Sequence, residues 1–138
     1  MEYSTPKIKQ ENELKISFCS FGYKFGIPLD ADYIFDCRDL PNPFWVESLR
    51  HYTGLDQPII DFFSDKKDVT FFINNTAYYL AGIFEKACKN GRKSLHIYFG
   101  CTGGQHRSVY VSNALYQLFE DNYPCGIMHR DYLKDGSL

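Results

Sequence analysis

The sequence predicts an α/β fold, a layered sandwich in which a mostly parallel central sheet of about four strands carries helices on both faces. Two observations support this prediction. Short segments rich in β-branched and aromatic residues alternate with longer segments of helical periodicity. Strands that alternate with helices are typical of parallel sheets, because each return to the sheet runs through a crossover.

The amino-terminal half of the chain supplies two predicted strands. Residues 1–13 are charged and are interpreted as a polar tail, and residues 14–138 are expected to form one domain. The first strand covers residues 14–21, where LKISFCSF alternates and is rich in β-formers. A glycine-bracketed loop at residues 22–28 follows, and the second strand covers residues 33–38.

Helices are predicted in the middle of the chain. Asn42 and Pro43 have the chemistry of a helix start, which favours a helix over residues 44–52. A short helical segment is predicted near residues 58–64. The longest periodic stretch runs from Asp68, a predicted N-cap, to residue 91. Its apolar stripe consists of Val69, Phe72, Ile73, Thr76, Ala77, Leu80, Ile83, Phe84 and Ala87.

The carboxyl-terminal third repeats the alternation. A strand is predicted at residues 94–99, a loop at 100–106, a helix at about 107–120 and a short edge strand at 126–131. The edge strand ends the set of four strands. No internal repeat or linker interrupts the pattern.

The composition argues against several classes of protein. The net charge of −2 argues against an electrostatic footprint for nucleic acid or for an anionic membrane. No apolar run reaches the roughly 20 residues that cross a bilayer, and the start lacks a signal peptide, so a cytoplasmic protein is expected. The five cysteines form no C-x-x-C pair, so we expect no metal site, no disulfide framework and no cofactor.

The strongest chemical signal is the loop GCTGGQHRS at residues 100–108. Its glycines allow successive backbone amides to point inward, and the following helix adds its unpaired amides and positive dipole end. Arg107 supplies a two-pronged clamp, and Thr102 and Ser108 supply hydroxyl donors. All of these groups donate to an anion. The loop therefore predicts a site for a small phosphorylated ligand.

Other candidate residues follow neighbouring predicted strands. Ligands of parallel sheets sit at the carboxyl ends of the strands. Asp36, Arg38 and Asn42 lie in or beside those segments and are expected near the non-phosphate part of a ligand. Lys24 and His129 are further candidate ligand-binding residues.

The same loop allows a second interpretation. Residues 101–108 fit C-x-x-G-x-x-R-S, the pattern of cysteine-dependent phosphatases. In that chemistry Cys101 attacks phosphorus, Arg107 holds the phosphoryl oxygens, and Asp36 or Asp39 protonates the leaving oxygen. Those enzymes have histidine or valine before the cysteine, whereas this chain has Gly100.

The chain also resembles the C-terminal domain of the RNase adapter protein RapZ and its nucleotide-binding relatives, over about residues 14–131. The segments that carry the resemblance are SFGYKFGIP (residues 20–28), AD (31–32), FDCR (35–38), LPNP (40–43), YTGLD (52–56), GCTGGQHRSV (100–109) and HRD (129–131).

This resemblance implies a fold similar to a phosphofructokinase subdomain, and a domain that senses glucosamine-6-phosphate, self-associates and presents small RNAs to an endoribonuclease. By resemblance, Thr102, Gly103, Gly104, His106 and Arg107 hold the sugar phosphate, with Asp36, Arg38 and Asn42 nearby. The chain departs from full-length members because it lacks G-x-x-x-x-G-K-[ST], and its tail, residues 132–138, is not basic. Weak RNA binding is therefore expected.

The sequence thus predicts a metabolite-binding regulatory module, most simply for an amino-sugar phosphate, and not an enzyme. The alternatives are a cysteine-dependent phosphatase and an RNA-adapter domain. Expected partners are the phosphorylated ligand, a second copy of the chain, and a protein partner or a separate N-terminal kinase-like domain. The predicted ligand-binding residues are Lys24, Asp36, Arg38, Asn42, Cys101, Thr102, Gly103, Gly104, Gln105, His106, Arg107, Ser108 and His129.

Overall fold

The computed structural model describes residues 14–134, so the predicted tail at 1–13 lies outside the described residues. Four parallel strands form one sheet in the order β2-β3-β1-β4. The α/β class and the parallel sheet are confirmed. The strands are β1 (Lys15–Gly22), β2 (Tyr33–Asp36), β3 (Ser94–Cys101) and β4 (Cys125–His129), and the helices are α1 (Gln57–Ser64), α2 (Lys67–Lys89) and α3 (Arg107–Phe119).

The hydrophobic core lies between the sheet and the helices. Central strands β1 and β3 pair in a register that sets Phe18 beside Ile97 and Gly22 beside Cys101. Phe18 stacks on Phe119 of α3 at 6.1 Å between ring centroids. Residues that alternate along β1 and β3 join this core, as the period of two requires.

The three helices gather on one face of the sheet, which differs from the expectation of helices on both faces. Core residues of α1, α2 and α3 share one cluster with one face of β1 and β3. The opposite face carries a small cluster of Cys19, Phe21 and Tyr98, packed against Tyr23 and Ala31 of the β1–β2 connection. Right-handed crossovers that run in opposite directions along a sheet fall on opposite faces. The connection from β1 to β2 therefore crosses that second face, and it contains only a 3-10 turn.

Helix α2 confirms the predicted long amphipathic helix. Val69, Ala77, Leu80 and Phe84 are at most 1% exposed. Its start differs by two residues from the prediction, because Lys66 occupies the N-cap and Asp68 lies in the first turn. An acidic residue there interacts favourably with the helix dipole, so Asp68 favours the helix start without capping it.

The predicted helix over residues 44–52 is wrong. Two 3-10 turns, Pro43–Trp45 and Glu47–Leu49, take its place, and the extended backbone of Val46 separates them. Asn42 does cap the first turn, since its side chain accepts a hydrogen bond from the Phe44 amide at 3.1 Å. Aromatic and β-branched residues favour helices weakly, and Arg50 Nε holds the bend by donating to the Phe44 carbonyl at 2.9 Å.

Residues 14–134 contain no helix that is long and apolar enough to cross a membrane. Within the same residues, no group of three or more histidine, cysteine or acidic side chains could hold a metal ion.

Candidate functional site

The candidate site lies where β1 and β3 end side by side. Gly22 and Cys101 are paired, and the chain leaves these two strands toward opposite faces of the sheet. Adjacent strands whose connections diverge leave a crevice between the two loops, and open parallel sheets bind ligands at such a switch point. The loop at residues 102–106 lies directly at this crevice.

The loop presents a set of free backbone donors. Within the described residues, the amides of residues 102–107 donate to no protein acceptor. Gly104 has φ of +74°, a conformation that glycine adopts without the steric cost that a side chain brings. Amides that follow one another through such a turn into a helix N-terminus form an anion-binding concavity.

Gly22 and Asp131 brace the loop from the side of β1. A Cβ at Gly22 would lie 2.5 Å from the Gly103 carbonyl carbon, and a Cβ at Gly104 would lie 2.6 Å from the Gly22 nitrogen. Asp131 is fully buried and accepts a hydrogen bond from the Gly22 amide at 2.8 Å. The two backbones therefore touch with no space for a side chain.

Asp131 remains ionised in this brace. Burial alone would raise its pKa, but hydrogen bonds from Arg130, the Gly22 amide and Lys134 outweigh burial and hold the pKa below its usual value. Arg130 and Lys134 lie 2.8 and 2.7 Å from the carboxylate oxygens. The segment after β4 is thus fastened to the end of β1.

Residues 50–54 brace the loop from the opposite side. Gln105 Nε2 donates to the carbonyls of Arg50 and Tyr52 at 2.9 and 2.8 Å. The Gly54 amide donates to the Gln105 carbonyl at 2.9 Å, and a Cβ at Gly54 would lie 2.6 Å from the His106 carbonyl oxygen. The absence of a side chain at Gly54 allows this close approach.

At the start of α3, two polar side chains are buried, and each has one nitrogen atom without a hydrogen-bond partner. His106 and Arg107 are 5% and 6% exposed. His106 Nε2 and Arg107 Nε have no hydrogen-bond partner, whereas Arg107 NH1 donates to the Arg38 carbonyl at 2.7 Å. Burial lowers the pKa of His106, and the positive charge of Arg107 lowers it further, so the imidazole is neutral at neutral pH. Buried polar atoms without partners are costly, so both atoms are available to bond with a ligand.

Cys101 and Ser108 form the floor of the loop. The Cys101 thiol lies 3.1 Å from the Ser108 hydroxyl, and the Ser108 amide donates to Cys101 Sγ at 3.4 Å. Both residues are at most 2% exposed. The thiol therefore faces the start of α3, as the cysteine of a C-x-x-G-x-x-R-S loop does.

A cavity of about 260 Å³ opens above the loop. Phe44 and Trp45 form one wall, which the sequence interpretation missed because it placed both residues in a helix. The signal that could have located them is the Asn42-Pro43 turn, which follows β2 at the same edge of the sheet. The predicted site residues that line the cavity are Lys24, Asn42, Cys101, Thr102, Gly103, Gln105, His106 and Arg107.

The remaining predicted residues lie outside the cavity lining. Gly104, within the loop, and Ser108, at the start of α3, are both buried. Asp36 and Arg38 are bound to each other by a two-pronged ion pair with a shortest distance of 2.8 Å, and Arg38 stacks on the Tyr23 ring at 3.8 Å. The Arg38 hydrogen bonds lower the pKa of Asp36. His129 Nδ1 is bonded to the Ser20 hydroxyl at 2.7 Å.

The fold and this loop define a parallel α/β domain that presents backbone donors at the switch point of its sheet. A family model described as the RapZ C-terminal domain matches residues 14–133. The chain belongs to this family, which confirms the resemblance found in the sequence.

Curated relatives agree with this assignment. A nucleotide-binding protein of Actinobacillus succinogenes is 52% identical over 111 residues, which is 80% of this chain and 39% of that protein. Nucleotide-binding proteins of Marinobacter nauticus and Clostridium beijerinckii are 44% and 40% identical, over 83% and 91% of this chain. The chain spans 39% and 43% of those two proteins.

Proposed function

We propose that this domain binds a small phosphorylated metabolite, most simply an amino-sugar phosphate such as glucosamine-6-phosphate, and acts as a regulatory sensor. One observation carries the proposal. The free amides of residues 102–107 and the unpaired Nε of Arg107 belong to a single loop beneath one cavity. A phosphate group has enough acceptor oxygens to satisfy such a set of donors.

The upper part of the cavity suits a sugar. Phe44 and Trp45 offer apolar ring faces, and Asn42 and Gln105 bring amide groups to the same space. Lys24 adds a cationic side chain from the loop after β1. Mixed aromatic and amide walls complement the apolar faces and hydroxyl groups of a pyranose. The choice of an amino sugar rests on the family resemblance.

A thermal-shift panel tests the proposal. Glucosamine-6-phosphate should raise the melting temperature more than glucose-6-phosphate, and both should exceed inorganic phosphate, because a ligand that binds only the folded state stabilises it. Glucosamine without phosphate serves as the control and should produce no shift. If a nucleotide raises the melting temperature and no sugar phosphate does, the ligand is a nucleotide, as in the names of the relatives, and not a sugar phosphate.

A phosphatase is the second candidate, since Cys101 and Ser108 are arranged as in a cysteine-dependent loop. Such an enzyme also needs an acid to protonate the leaving group. Among the described residues that line the cavity, none is aspartate or glutamate. Asp36 lies outside the lining, and the Arg38 ion pair favours its deprotonated form. This arrangement favours binding over hydrolysis.

Cys101→Ser separates the two candidates. We expect both the wild type and the variant to be inactive on para-nitrophenyl phosphate and both to bind the sugar phosphate, because serine keeps the shape and donors of the loop. Turnover by the wild type that disappears in the variant, with binding retained, would make the domain a phosphatase.

Assembly and location belong to the same proposal. Self-association, a protein partner and a cytoplasmic location are proposed from the family resemblance. RNA binding by this chain is proposed to be weak and strongly salt-dependent, because the sequence carries 15 basic against 17 acidic residues.

A further inference from the structure

A second concave surface lies between helix α2 and edge strand β2. This groove has a volume of about 420 Å³ and shares no lining residue with the phosphate cavity. Aromatic rings form its walls. Phe35 and Tyr79 meet edge to face at 6.1 Å, and Phe71 and Tyr79 are 70% and 55% exposed. Rings exposed to this extent indicate an interaction surface more often than a solvated face.

The polar groups of the groove all offer oxygen acceptors. Asp39, Asp68, Asn75 and Thr76 line it, and among residues 14–134 none of their side chains forms an ion pair or a hydrogen bond. Thr76 is only 6% exposed, so it lies at the base of the groove. Among the residues that the structure describes, no lysine, arginine or histidine lines the groove. Arg38 lies within the electrostatic reach of Asp39, but its guanidinium forms its ion pair with Asp36. Two carboxylates that form no ion pair of their own favour a cationic ligand.

The combination of aromatic walls and carboxylates favours a guanidinium group over an ammonium group. A guanidinium group stacks flat on aromatic rings and forms forked hydrogen bonds to carboxylates, whereas an ammonium group is a compact, strongly hydrated charge. Asp39 follows β2 and Asp68 begins α2, so carboxylates approach the groove from two elements. An arginine side chain fits this chemistry better than a lysine side chain.

The position of the groove favours an arginine that is carried by a peptide. The groove is an open trough, and it runs beside β2, which has no neighbouring strand on its outer side within the described residues. An unpaired strand edge is a template on which an extended peptide adds by main-chain hydrogen bonds. We propose that a partner protein docks here through an extended segment, with an arginine side chain inserted between the aromatic rings toward Asp39 and Asp68.

A blocked Val-Arg-Val tripeptide tests this proposal on the full chain. Titration followed by NMR should shift the resonances of Phe71 and Tyr79 saturably. The same tripeptide with citrulline, which keeps the shape of arginine and removes its charge, should bind about fivefold more weakly or worse. Nα-acetyl-arginine amide should also bind more weakly than the tripeptide, since it offers little backbone for β2. Equal affinities for the arginine and citrulline peptides, or for the tripeptide and the single amino acid, would overturn the proposal.

A pair of double variants tests whether the carboxylates of the groove bind the arginine side chain. Asp39→Asn combined with Asp68→Asn should weaken the arginine tripeptide about fivefold, as expected for the loss of two partly exposed ion pairs. Asp61→Asn combined with Asp65→Asn makes the same change in net charge outside the groove and should leave the affinity unchanged. Equal weakening in both variants would show that only the net charge acts. Asp68→Asn alone separates the two proposals, since Asp68 neither lines the phosphate cavity nor adjoins the carbonyls that hold Arg107. It should weaken the tripeptide and leave sugar-phosphate binding unchanged.

Discussion

Replacing Arg107 by alanine should weaken glucosamine-6-phosphate binding by about 1.5–3 kcal/mol, the range for hydrogen bonds to charged groups. The buried Nε has no protein partner and lies at the start of α3, where the loop amides converge. Removal of the guanidinium takes away the charged donor at the start of α3 and leaves only neutral amides in the loop. Isothermal titration calorimetry on the wild type and the variant measures the difference.

Two further variants make this result interpretable. Arg92→Ala removes a guanidinium that pairs with Asp32 away from the cavity, and it should leave the affinity unchanged. Arg107→Lys keeps the charge but loses the fork, so its affinity should fall between those of the wild type and Arg107→Ala. Because Arg107 also holds the Arg38 and Leu40 carbonyls, the melting temperature of each variant must be measured. Unchanged affinity in a folded Arg107→Ala protein would refute the phosphate site.

The largest effect on stability is expected from Gly104→Ala. Alanine at φ of +74° brings a left-handed strain of about 1–2 kcal/mol. The new methyl group would lie 2.6 Å from the Gly22 nitrogen, and such overpacking against a rigid backbone adds about 1–3 kcal/mol. The free energy of unfolding should therefore fall by about 2–5 kcal/mol in urea denaturation. Sugar-phosphate binding should fall as well, because the loop must shift away from β1.

Gly91→Ala is the matched control for this experiment. Gly91 has nearly the same φ, +76°, but a Cβ there would meet no atom within 4 Å. Its substitution should lower the free energy of unfolding by the backbone strain alone, about 1–2 kcal/mol. A loss at Gly104 no larger than the loss at Gly91 would mean that the contact between Gly22 and Gly104 does not constrain the loop.

Local signals in the sequence were sufficient for the sheet, the long helix and the position of the loop between β3 and α3. The strands and α2 follow from periodicities of two and 3.6 residues, and the loop follows from consecutive glycines before a helix start. The segment from Asn42 to Arg50 could not be predicted in this way. Its bend depends on Arg50 reaching the Phe44 carbonyl and on Gln105, 55 residues away in sequence, holding the Arg50 carbonyl. The cavity wall of Phe44 and Trp45 depends on that bend.

The contacts by which residues distant in sequence support the loop could not be predicted from the sequence either. Asp131 and Gly22 are 109 positions apart, and neither sequence neighbourhood suggests their hydrogen bond. The pairing of Asp36 with Arg38 was open to prediction, since the two residues are close in sequence, yet the sequence assigned both to the ligand. The structure places them beside the cavity and bound to each other.

The bracing of the loop on two sides has a consequence for how the domain selects its ligand. Gly22 packs against one side and Gly54 against the other, so the donors are already in place before any anion arrives. A preorganised site loses little conformational entropy on binding, and its affinity depends mainly on how well the ligand fits the fixed donors. Under the proposed function, the domain therefore responds to the concentration of one shape of anion with little rearrangement of the loop itself. Any signal that the domain transmits must then arise from the bound ligand's contacts with neighbouring surfaces.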